Sequence, residues 1–412
     1  MLLSHPSAIA APKQPASTLA ITGLRLQNFR NYSGCHLALS GLPPVSMGRS
    51  SSVVLVGANG AGKTNMLEAL SLLAPGRGLR RAKADLLSRQ SSPSKDTGNA
   101  IWSIAAELET TEGPLRLGTG TMLQDDGGAG RRIIKINGEF SSQSVLAEHL
   151  AVSWLTPDMD GVLAAAASER RRFLDRLAIA FDPAHSGRIQ RYEKAYRQRN
   201  RLLEEGQQDQ SWYEALEQQM AESGMAIIAA RQAMVDALDV EASMPLPSFP
   251  SARLRLDGDV ETWLKIMPAV DAEDRIKTEA KANRLNGSTT MPGPMNTVLT
   301  VSHSKTGQDA ELSSTGEQKA LVISVVLAHA RLQTKRLKRP QLLLLDDIVS
   351  HLDETRRRTL FELTADFTGQ VWFSGTDAEV FATMQNDHDI VLIEDGDVVD
   401  LPSPTAAVRS SS

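Results

Sequence analysis

The sequence lacks the features of several large classes of protein. It has one cysteine, Cys35, among 412 residues, which excludes an internal disulfide framework and is typical of a reducing compartment such as the cytoplasm. No run of apolar residues approaches the roughly 20 that are needed to cross a bilayer. The formal net charge is -5, so any binding to nucleic acid must come from a local basic patch.

The composition that remains is that of a folded globular protein. Hydrophobic residues make up 41% and charged residues 23% of the sequence, and the length suits two or three domains. Residues 1–20 have prolines and Lys13 within their apolar part. A secretion signal has a basic start and a longer apolar centre, so we expect a disordered extension here and a disordered tail at 403–412.

The apolar pattern predicts an α/β protein with an antiparallel part. Residues 21–32 alternate like a strand that then turns, and 53–56 form a continuous apolar strand of the buried parallel type. Residues 101–140 are typical of antiparallel hairpins, with a turn at 125–130. These segments indicate a sheet-rich first third of the chain.

A helical insert follows. From Ser168 to about Leu238 the apolar period is helical, with breaks at 182–183 and Gly206. Strand and helix patterns alternate again from about residue 298. The sequence therefore predicts an α/β head interrupted by helices.

Residues 57–64 read GANGAGKT, which fits the pattern G-x-x-x-x-G-K-[ST]. Its glycines let backbone N–H groups converge on phosphate oxygens, Lys63 supplies a positive charge, and Thr64 supplies a hydroxyl for magnesium. A glycine-rich turn could match by chance. The motif follows VVLV and precedes an amphipathic run, however, which is the setting that phosphate binding requires.

Two carboxylates end a second apolar strand. QLLLLDDI, residues 341–348, places Asp346 and Asp347 where α/β folds bind ligands, at the carboxyl end of a buried strand. The first is expected to hold magnesium and the second to orient an attacking water. A surface turn is the alternative, which the four preceding leucines disfavour.

A third motif lies at the start of a predicted helix. ELSSTGEQKA, residues 311–320, has Ser313, Ser314, Thr315 and Gly316 just before a long apolar run. Hydroxyls and a glycine at a helix start can bind an anion, although they would equally serve as an ordinary N-cap. The motif precedes the two-aspartate strand, and IVSHLD follows that strand directly.

This order of motifs resembles that of the ABC-type ATPases, in which the signature of one subunit caps the nucleotide held by the P-loop of another. Within that class the chain resembles the RecF family of bacterial recombination mediators, over about residues 21–400. The segments that carry this resemblance are LRLQNFRNY, GANGAGKTN, TPDMDGVLAAAASERRRFLD, YEKAYRQRNRLL, STGEQKA, LLLLDDIVSHLD and VWFSGTD.

The resemblance implies roles for individual residues. The catalytic residues would be Lys63, Asp346 and Asp347, and Mg²⁺ would be held by Thr64 and Asp346. ATP would be bound by Gly57, Ala58, Asn59, Gly60, Ala61, Gly62, Lys63, Thr64, Asn65, Arg30 and Asn31. The signature acting on a partner's nucleotide would be Ser314, Thr315, Gly316 and Glu317, and the D-loop would contribute Ser350 and Asp353.

The same resemblance implies a fold and a function. The fold would be an ABC-type P-loop ATPase head at 21–157 and 298–402, with a mixed sheet that has an antiparallel part, plus an inserted helical arm at 158–297. The protein would be a cytoplasmic, slow, DNA-stimulated ATPase that forms an ATP-induced homodimer on gapped or single-strand/duplex junction DNA. With RecO and RecR it would promote RecA loading, and hydrolysis would drive release.

Three positions depart from the family pattern. The acid after the magnesium aspartate is Asp347, one methylene shorter than the usual glutamate, which suits slow turnover. WLTPDMD, residues 154–160, has no glutamine at the entry to the helical insert, so the coupling residue there is open. The usual GPHR stretch reads GPMN at 293–296.

The insert carries a local basic excess. Between Ser168 and Arg201 the sequence has nine arginines and one lysine against two aspartates and two glutamates. Helical spacing places four of these cations on one face, where they would either be solvated or bind DNA phosphates. They are Arg191, Lys194, Arg197 and Arg201.

Two other functions remain open. An SMC-like chromosome organiser has a similar head, but its coiled coils are far longer than the insert at 158–297. A P-loop kinase of small molecules has no use for STGEQK or SHLD. Stimulation of ATP hydrolysis by DNA rather than by a small acceptor would separate these functions.

Overall fold

The computed structural model describes residues 19–39, 51–89, 101–122, 131–337, 339–367, 369–384 and 388–399. The predicted turn at 125–130, the predicted tail and all but the last two residues of the predicted extension lie outside the described residues. Within these ranges, none of the helices combines the length and apolar character that a bilayer span requires.

The order of elements alternates between strands and helices. The strands are β1 (Leu19–Phe29), β2 (Tyr32–Ala38), β3 (Ser51–Val56), β4 (Ser103–Thr110), β5 (Gly113–Thr121), β6 (Arg132–Ile136), β7 (Glu139–Ser141), β8 (Ala151–Leu155), β9 (Ala252–Asp257), β10 (Val298–His303), β11 (Gln341–Leu345), β12 (Gln370–Gly375), β13 (His388–Glu394) and β14 (Asp397–Val399). The helices are α1 (Lys63–Ser71), α2 (Gln143–His149), α3 (Ala167–Ile179), α4 (Ala184–Glu204), α5 (Gln210–Ala242), α6 (Asp259–Trp263), α7 (Ala269–Leu285), α8 (Thr315–Arg336) and α9 (Glu354–Ala365).

A mixed sheet forms the centre of the head, in the order β14-β13-β3-β12-β11-β8. All its neighbours are parallel except β14, which pairs antiparallel with β13. Every residue of β3 is buried, because strands flank it on both sides and apolar clusters cover both faces. The predicted buried parallel strand is confirmed.

An antiparallel sheet in the order β2-β1-β4-β5-β6-β7 covers one face of the mixed sheet. Residues of β4 alternate between exposed and buried, as expected for a sheet with one solvated face. Its buried side, including Leu24 and Ile104, shares a core with Met66 and Leu70 of α1. The backbone N–H of Ile21 also donates to Gln370 Oε1 at 3.1 Å, which joins the two sheets.

The helical insert consists mainly of α3, α4, α5 and α7. The predicted breaks at 182–183 and Gly206 are confirmed, since both lie between helices. Helix α5 has 33 residues, with Met220 in the apolar cluster of the insert and Leu238 in the core of the head. One continuous helix therefore anchors the insert to the head.

Two details differ from the predicted boundaries. β1 begins at Leu19, two residues before the predicted start of the head. β9, predicted within the arm, pairs antiparallel with β10, predicted within the head, because the helices between them return the chain to the same place. The division into domains at 157 and 297 otherwise stays a prediction.

Candidate nucleotide site

The loop between β3 and α1 has glycines where side chains would not fit. A Cβ on Gly57 would lie 2.2 Å from the carbonyl oxygen of Ile393. Gly62 has φ 125°, and a Cβ there would lie 2.7 Å from Asn31 Nδ2. Gly60 has φ 85° and nothing within 4 Å of its Cβ position. The loop is thus packed against the rest of the protein at Gly57 and Gly62 and open at Gly60, which suits a phosphate-binding loop.

Lys63 lies within this loop and is 8% exposed. Its Nζ donates to the carbonyl oxygens of Gly57 at 2.7 Å and Ala58 at 2.8 Å. An ammonium group has three N–H donors, so one remains for a ligand. Burial lowers the pKa of Lys63, and the nearby carboxylates of Asp347 and Asp346 oppose that shift.

Thr64 and Asp346 come together across the mixed sheet. Thr64 Oγ1 donates to Asp346 Oδ1 at 2.9 Å, and Ser374 Oγ donates to the same oxygen at 2.7 Å. Asp346 is 4% exposed. Burial raises its pKa, while the hydrogen bonds from Ser374 and Thr64 oppose the rise. A hydroxyl and a carboxylate are oxygen donors that Mg²⁺ prefers, so the residues present fit that ion.

Asp347 has an unusual backbone conformation, with φ 49°. Such left-handed geometry is costly for a residue other than glycine and concentrates at functional sites. Its N–H donates to Ser374 Oγ at 2.9 Å, and its Oδ1 accepts from Ser350 Oγ at 2.7 Å. The predicted water-orienting acid and the first predicted D-loop residue are thus in contact. The second, Asp353, caps α9 by accepting from the N–H of Arg356.

Arg30 and Asn31 lie under the phosphate loop. Asn31 Nδ2 donates to the carbonyl oxygen of Ala61 at 2.9 Å, and its Oδ1 accepts from Asn65 Nδ2 at 2.7 Å. Arg30 binds Glu68 of α1 through two hydrogen bonds, at 2.8 and 2.7 Å. Asn31 thus holds the loop, and Arg30 holds the helix α1 that follows it.

The predicted signature residues start α8 and are exposed. Ser314 is the N-cap in a capping box with Glu317: its N–H donates to Glu317 Oε2 at 2.9 Å, and its Oγ accepts from the Glu317 N–H at 3.4 Å. The N–H and the Oγ of Ser314 both donate to Glu317 Oε2, each at 2.9 Å, and these two hydrogen bonds lower the pKa of Glu317. Within the described ranges, no hydrogen bond or ion pair joins 314–317 to 57–65 of the same chain.

The predicted basic stripe lies on α4. Its four residues are exposed, and the opposite face packs through Tyr192. Arg201 Nε lies 2.7 Å from Glu205 Oε1, and Arg197 Nη1 lies 3.9 Å from Glu193 Oε2. The stripe is therefore partly neutralised by acids of its own helix.

Other arginines of the basic run point inward. Arg170 pairs with Glu311. Arg199, which is fully buried, binds Glu217 at 3.0 Å. Arg199 thus holds two helices of the insert together, Arg170 joins α3 to the segment before α8, and neither is available for DNA.

Sequence reasoning missed several contacts around the site. Tyr32 donates its hydroxyl proton to the Gly62 carbonyl at 3.0 Å, and Ser374 links both aspartates. Lys319 of α8 pairs with Asp160 at 2.8 Å, which joins the signature helix to the segment that lacks a glutamine. The strand-end rule could have found Ser374, because it follows the buried run of β12.

The GPMN segment contacts the insert through its backbone. The Pro294 carbonyl oxygen accepts from Arg231 Nη1 at 2.5 Å, whereas the Met295 side chain is 39% exposed. Arg231 also binds Asp175 at 2.8 and 2.9 Å. The segment is thus held by main-chain contacts that do not need the usual histidine and arginine.

Comparisons with known proteins agree with this geometry. The model of the RecF/RecN/SMC N terminal domain matches residues 20–397. The DNA replication and repair protein RecF of Mesorhizobium japonicum is 41% identical over 390 residues, which cover 93% of this chain and 98% of the relative. That of Rhizobium johnstonii is 40% identical over 386 residues, which cover 92% and 98%.

A solved structure of the recombination mediator protein RecF-ATPrS in the RecFOR pathway has the same fold. Its TM-score is 0.78 at 21% identity, covering 94% of this chain and 100% of that one. The predicted ABC-type head with a mixed sheet and helical insert is confirmed. Match length and identity together mean that the chain belongs to the RecF family of DNA replication and repair proteins.

Proposed function

We propose that this protein is an ATP-dependent DNA-binding protein of recombinational repair. ATP binding would join two copies on gapped or junction DNA, and slow hydrolysis would release them. The observation that carries the nucleotide part is the hydrogen bond of 2.9 Å between Thr64 Oγ1 and Asp346 Oδ1 beside the glycine loop.

The loop at 57–65 would bind the phosphates of ATP. Its open upper side and the remaining N–H of Lys63 offer donors to phosphate oxygens, and the start of α1 adds the positive end of a helix dipole. Mg²⁺, held by Thr64 and Asp346, would supply positive charge beside the phosphates. Asn31 and Arg30 would keep the loop in shape from below.

Asp347 would orient the water that attacks the terminal phosphate. Its contact with Ser350 and its left-handed backbone fix the carboxylate near Asp346. A carboxylate one methylene shorter than glutamate reaches less far, which fits a slow, switch-like enzyme. DNA stimulation of this ATPase is part of the proposal.

The signature residues 314–317 would act on the nucleotide of a second copy. Their exposure, and the lack of any described bond between them and 57–65 of the same chain, support a role across a dimer interface. Ser350 and Asp353 would lie at the same interface. Mass action then couples ATP binding to assembly.

Membership of a family of DNA replication and repair proteins supports the DNA part of the proposal. RecO and RecR are proposed partners, with loading of RecA as the outcome, and the cytoplasm is the proposed location. One observation supports the SMC-like alternative: the domain family that matches this chain also includes SMC proteins. The compact insert, packed onto the head through α5, favours the repair function.

Sedimentation velocity tests the proposal. Wild type and Asp347→Asn would be compared with and without ATP, Mg²⁺ and gapped DNA. Asn keeps an oxygen for Ser350 but slows hydrolysis, so Asp347→Asn with ATP should sediment as a dimer longer than wild type does. Lys63→Ala serves as the matched control that cannot hold ATP. A monomer for Asp347→Asn at saturating ATP would contradict the proposal.

A further inference from the structure

A basic crevice lies between the head and the helical insert. Its volume is about 670 Å³, and its walls come from the segment after α1, β6, β8, α3 and α4. Six arginines line it, against the two carboxylates of Asp175 and Glu193. The arginines are Arg77, Arg81, Arg132, Arg172, Arg176 and Arg339.

Both carboxylates in the wall already have cationic partners. Asp175 binds Arg231 through two hydrogen bonds, at 2.8 and 2.9 Å, and also contacts His185. Glu193 lies 3.9 Å from Arg197. Within the described residues these acids form no direct ion pair with the guanidinium groups of the crevice, although Asp175 attracts Arg81 at longer range.

Among the described residues Arg176 forms no ion pair, and the nearby carboxylate of Asp158 attracts it only at longer range. Its Nη1 donates to the sulfur of Met159 at 3.1 Å, and its plane lies over the rings of Trp154 and Phe173, at 4.9 and 5.2 Å. Its Nη2 is buried and has no hydrogen-bond partner among the described residues. Burial and repulsion from Arg81 lower the pKa of Arg176 to about 9, while the charge of Asp158 opposes that shift. Folded proteins rarely leave a buried charge unpaired, because its desolvation is costly.

Arg81 brings a second cation to the same place. Its backbone has φ 54°, and its Nη2 donates to the carbonyl oxygen of Arg172 at 3.0 Å. Desolvation lowers the pKa of Arg81, the charges of Arg172 and Arg77 lower it further, and the charge of Asp175 opposes the shift. The fold thus holds several like charges together, which an anion would stabilise.

Arg132 and Arg339 differ from these residues. Arg132 donates to the carbonyl oxygens of Leu72 and Gly76 and to Thr119 Oγ1. Arg339 donates to the Ala180 carbonyl. Both have structural contacts, so the principal donors to a ligand are Arg176 and Arg81.

We propose that this crevice binds phosphate groups of a DNA strand, with the guanidinium groups of Arg176 and Arg81 as the main donors. The proposal rests on the DNA-binding function proposed above and locates a contact outside the stripe on α4. DNA is favoured over a small anion because Arg172 and Arg77 are exposed at the crevice. On α4, Gln190 and Glu193 belong to the crevice wall, and the helical period places Arg197 on the same face one turn further along.

The crevice also has a path to the nucleotide site. Met159, which Arg176 contacts, belongs to the short turn after β8, and the carbonyl oxygen of Leu155 at the end of β8 accepts from the N–H of Asp346 at 2.9 Å. A phosphate that draws the Arg176 guanidinium towards itself would change its contact with this turn.

Fluorescence anisotropy with a labelled gapped duplex tests the site, using full-length Arg176→Gln, Arg81→Gln and wild type. Each variant should bind DNA about tenfold more weakly, the size expected for one lost charged hydrogen bond. The slope of log affinity against log salt should fall by about one. The melting temperature of Arg176→Gln without DNA should stay the same or rise, since an unpaired buried charge is removed.

Arg188→Gln is the matched control. Arg188 lies on α4 outside the crevice wall and is paired with Asp182, so its loss should leave DNA affinity within about twofold. An equal loss in this control, or unchanged affinity in both crevice variants, would overturn the proposal. A large drop in the melting temperature of Arg176→Gln would also overturn it, because Arg176 would then be structural.

Inorganic pyrophosphate, added with the P-loop saturated by ADP, separates a DNA strand from a small anion. Loss of pyrophosphate binding in Arg176→Gln with DNA binding retained would overturn the assignment to DNA. ATP-dependent sedimentation of the same variants keeps the two proposals apart. If the wild type does not bind DNA, the proposed function is wrong. If the crevice variants form dimers normally and bind DNA as the wild type does, only the crevice proposal is wrong.

Discussion

Thr64 and Asp346 are 282 positions apart in sequence and share a hydrogen bond of 2.9 Å. The contact forms because β12 lies between β3 and β11 in the mixed sheet and presents Ser374 to the same carboxylate. The carboxyl ends of three parallel strands thus build one oxygen-rich site.

Asp346→Asn should stabilise the protein while removing its response to ATP and Mg²⁺. Burial raises the pKa of Asp346 above its unfolded value, so the folded state binds the proton more tightly. Stability therefore falls as pH rises from the unfolded pKa of Asp346 to its folded pKa. The amide has no such penalty and keeps an oxygen for Thr64 and Ser374. We expect a gain of about 1 kcal/mol at pH 7, typical of relieved functional sites.

Thermal unfolding between about pH 4 and pH 8 measures this effect, with ATP and Mg²⁺ omitted or added. The gain of Asp346→Asn over wild type should shrink as pH falls, because wild type then becomes protonated. Asp377→Asn, at an exposed position after β12, is the control for loss of a carboxylate outside the site and should keep the response to ATP and Mg²⁺. A destabilised Asp346→Asn at every pH would contradict the interpretation.

The sequence predicts the site better than it predicts the supports around it. Lys63, Thr64 and Asp346 are predictable because a local motif and a buried strand end each specify a position. Ser374 also lies near the end of a buried strand, but only the strand order reveals that this strand lies between the other two. Arg199 belongs to a basic run in the sequence, yet its partner Glu217 lies on the next helix, and spacing cannot reveal a pair of that kind.

Glu217→Gln should destabilise the helical insert strongly. Glu217 is 3% exposed and binds both Arg199 and Arg284, each at 3.0 Å. Its loss leaves two guanidinium groups without their carboxylate, which costs about 3–5 kcal/mol. Urea unfolding followed by far-ultraviolet circular dichroism would show the change.

Glu214→Gln is a matched substitution on the same helix. Glu214 is exposed and lies 3.5 Å from Lys281, so its loss should change stability by less than about 0.5 kcal/mol. Equal effects of the two substitutions would mean that the buried charge network does not hold the insert.

Substitutions at Ser314 can separate its cap from its proposed role across the dimer. Ser314 caps α8 in a capping box with Glu317. Ser314→Ala removes the cap and should cost about 1 kcal/mol, whereas Ser314→Asn keeps an N-cap acceptor and should cost little. Both lose the hydroxyl, so both should lose ATP hydrolysis by the dimer, about a hundredfold if the hydroxyl stabilises the reacting phosphate.

Asp209 of α5 supplies the control for a purely structural cap, because its side chain accepts from the N–H of Trp212 at 3.1 Å. Asp209→Ala should lower stability as Ser314→Ala does and leave hydrolysis unchanged. Mixing Ser314→Asn with Lys63→Ala gives the decisive measurement. If the sites are shared, one site of the mixed dimer combines the intact Lys63 of the Ser314→Asn copy with the intact Ser314 of the Lys63→Ala copy. Activity should therefore return to the mixture. Sedimentation of the mixture with ATP checks that mixed dimers form, because Lys63→Ala alone does not hold ATP. Mixed dimers that form but are as inactive as the separate variants would mean that each copy completes its own site.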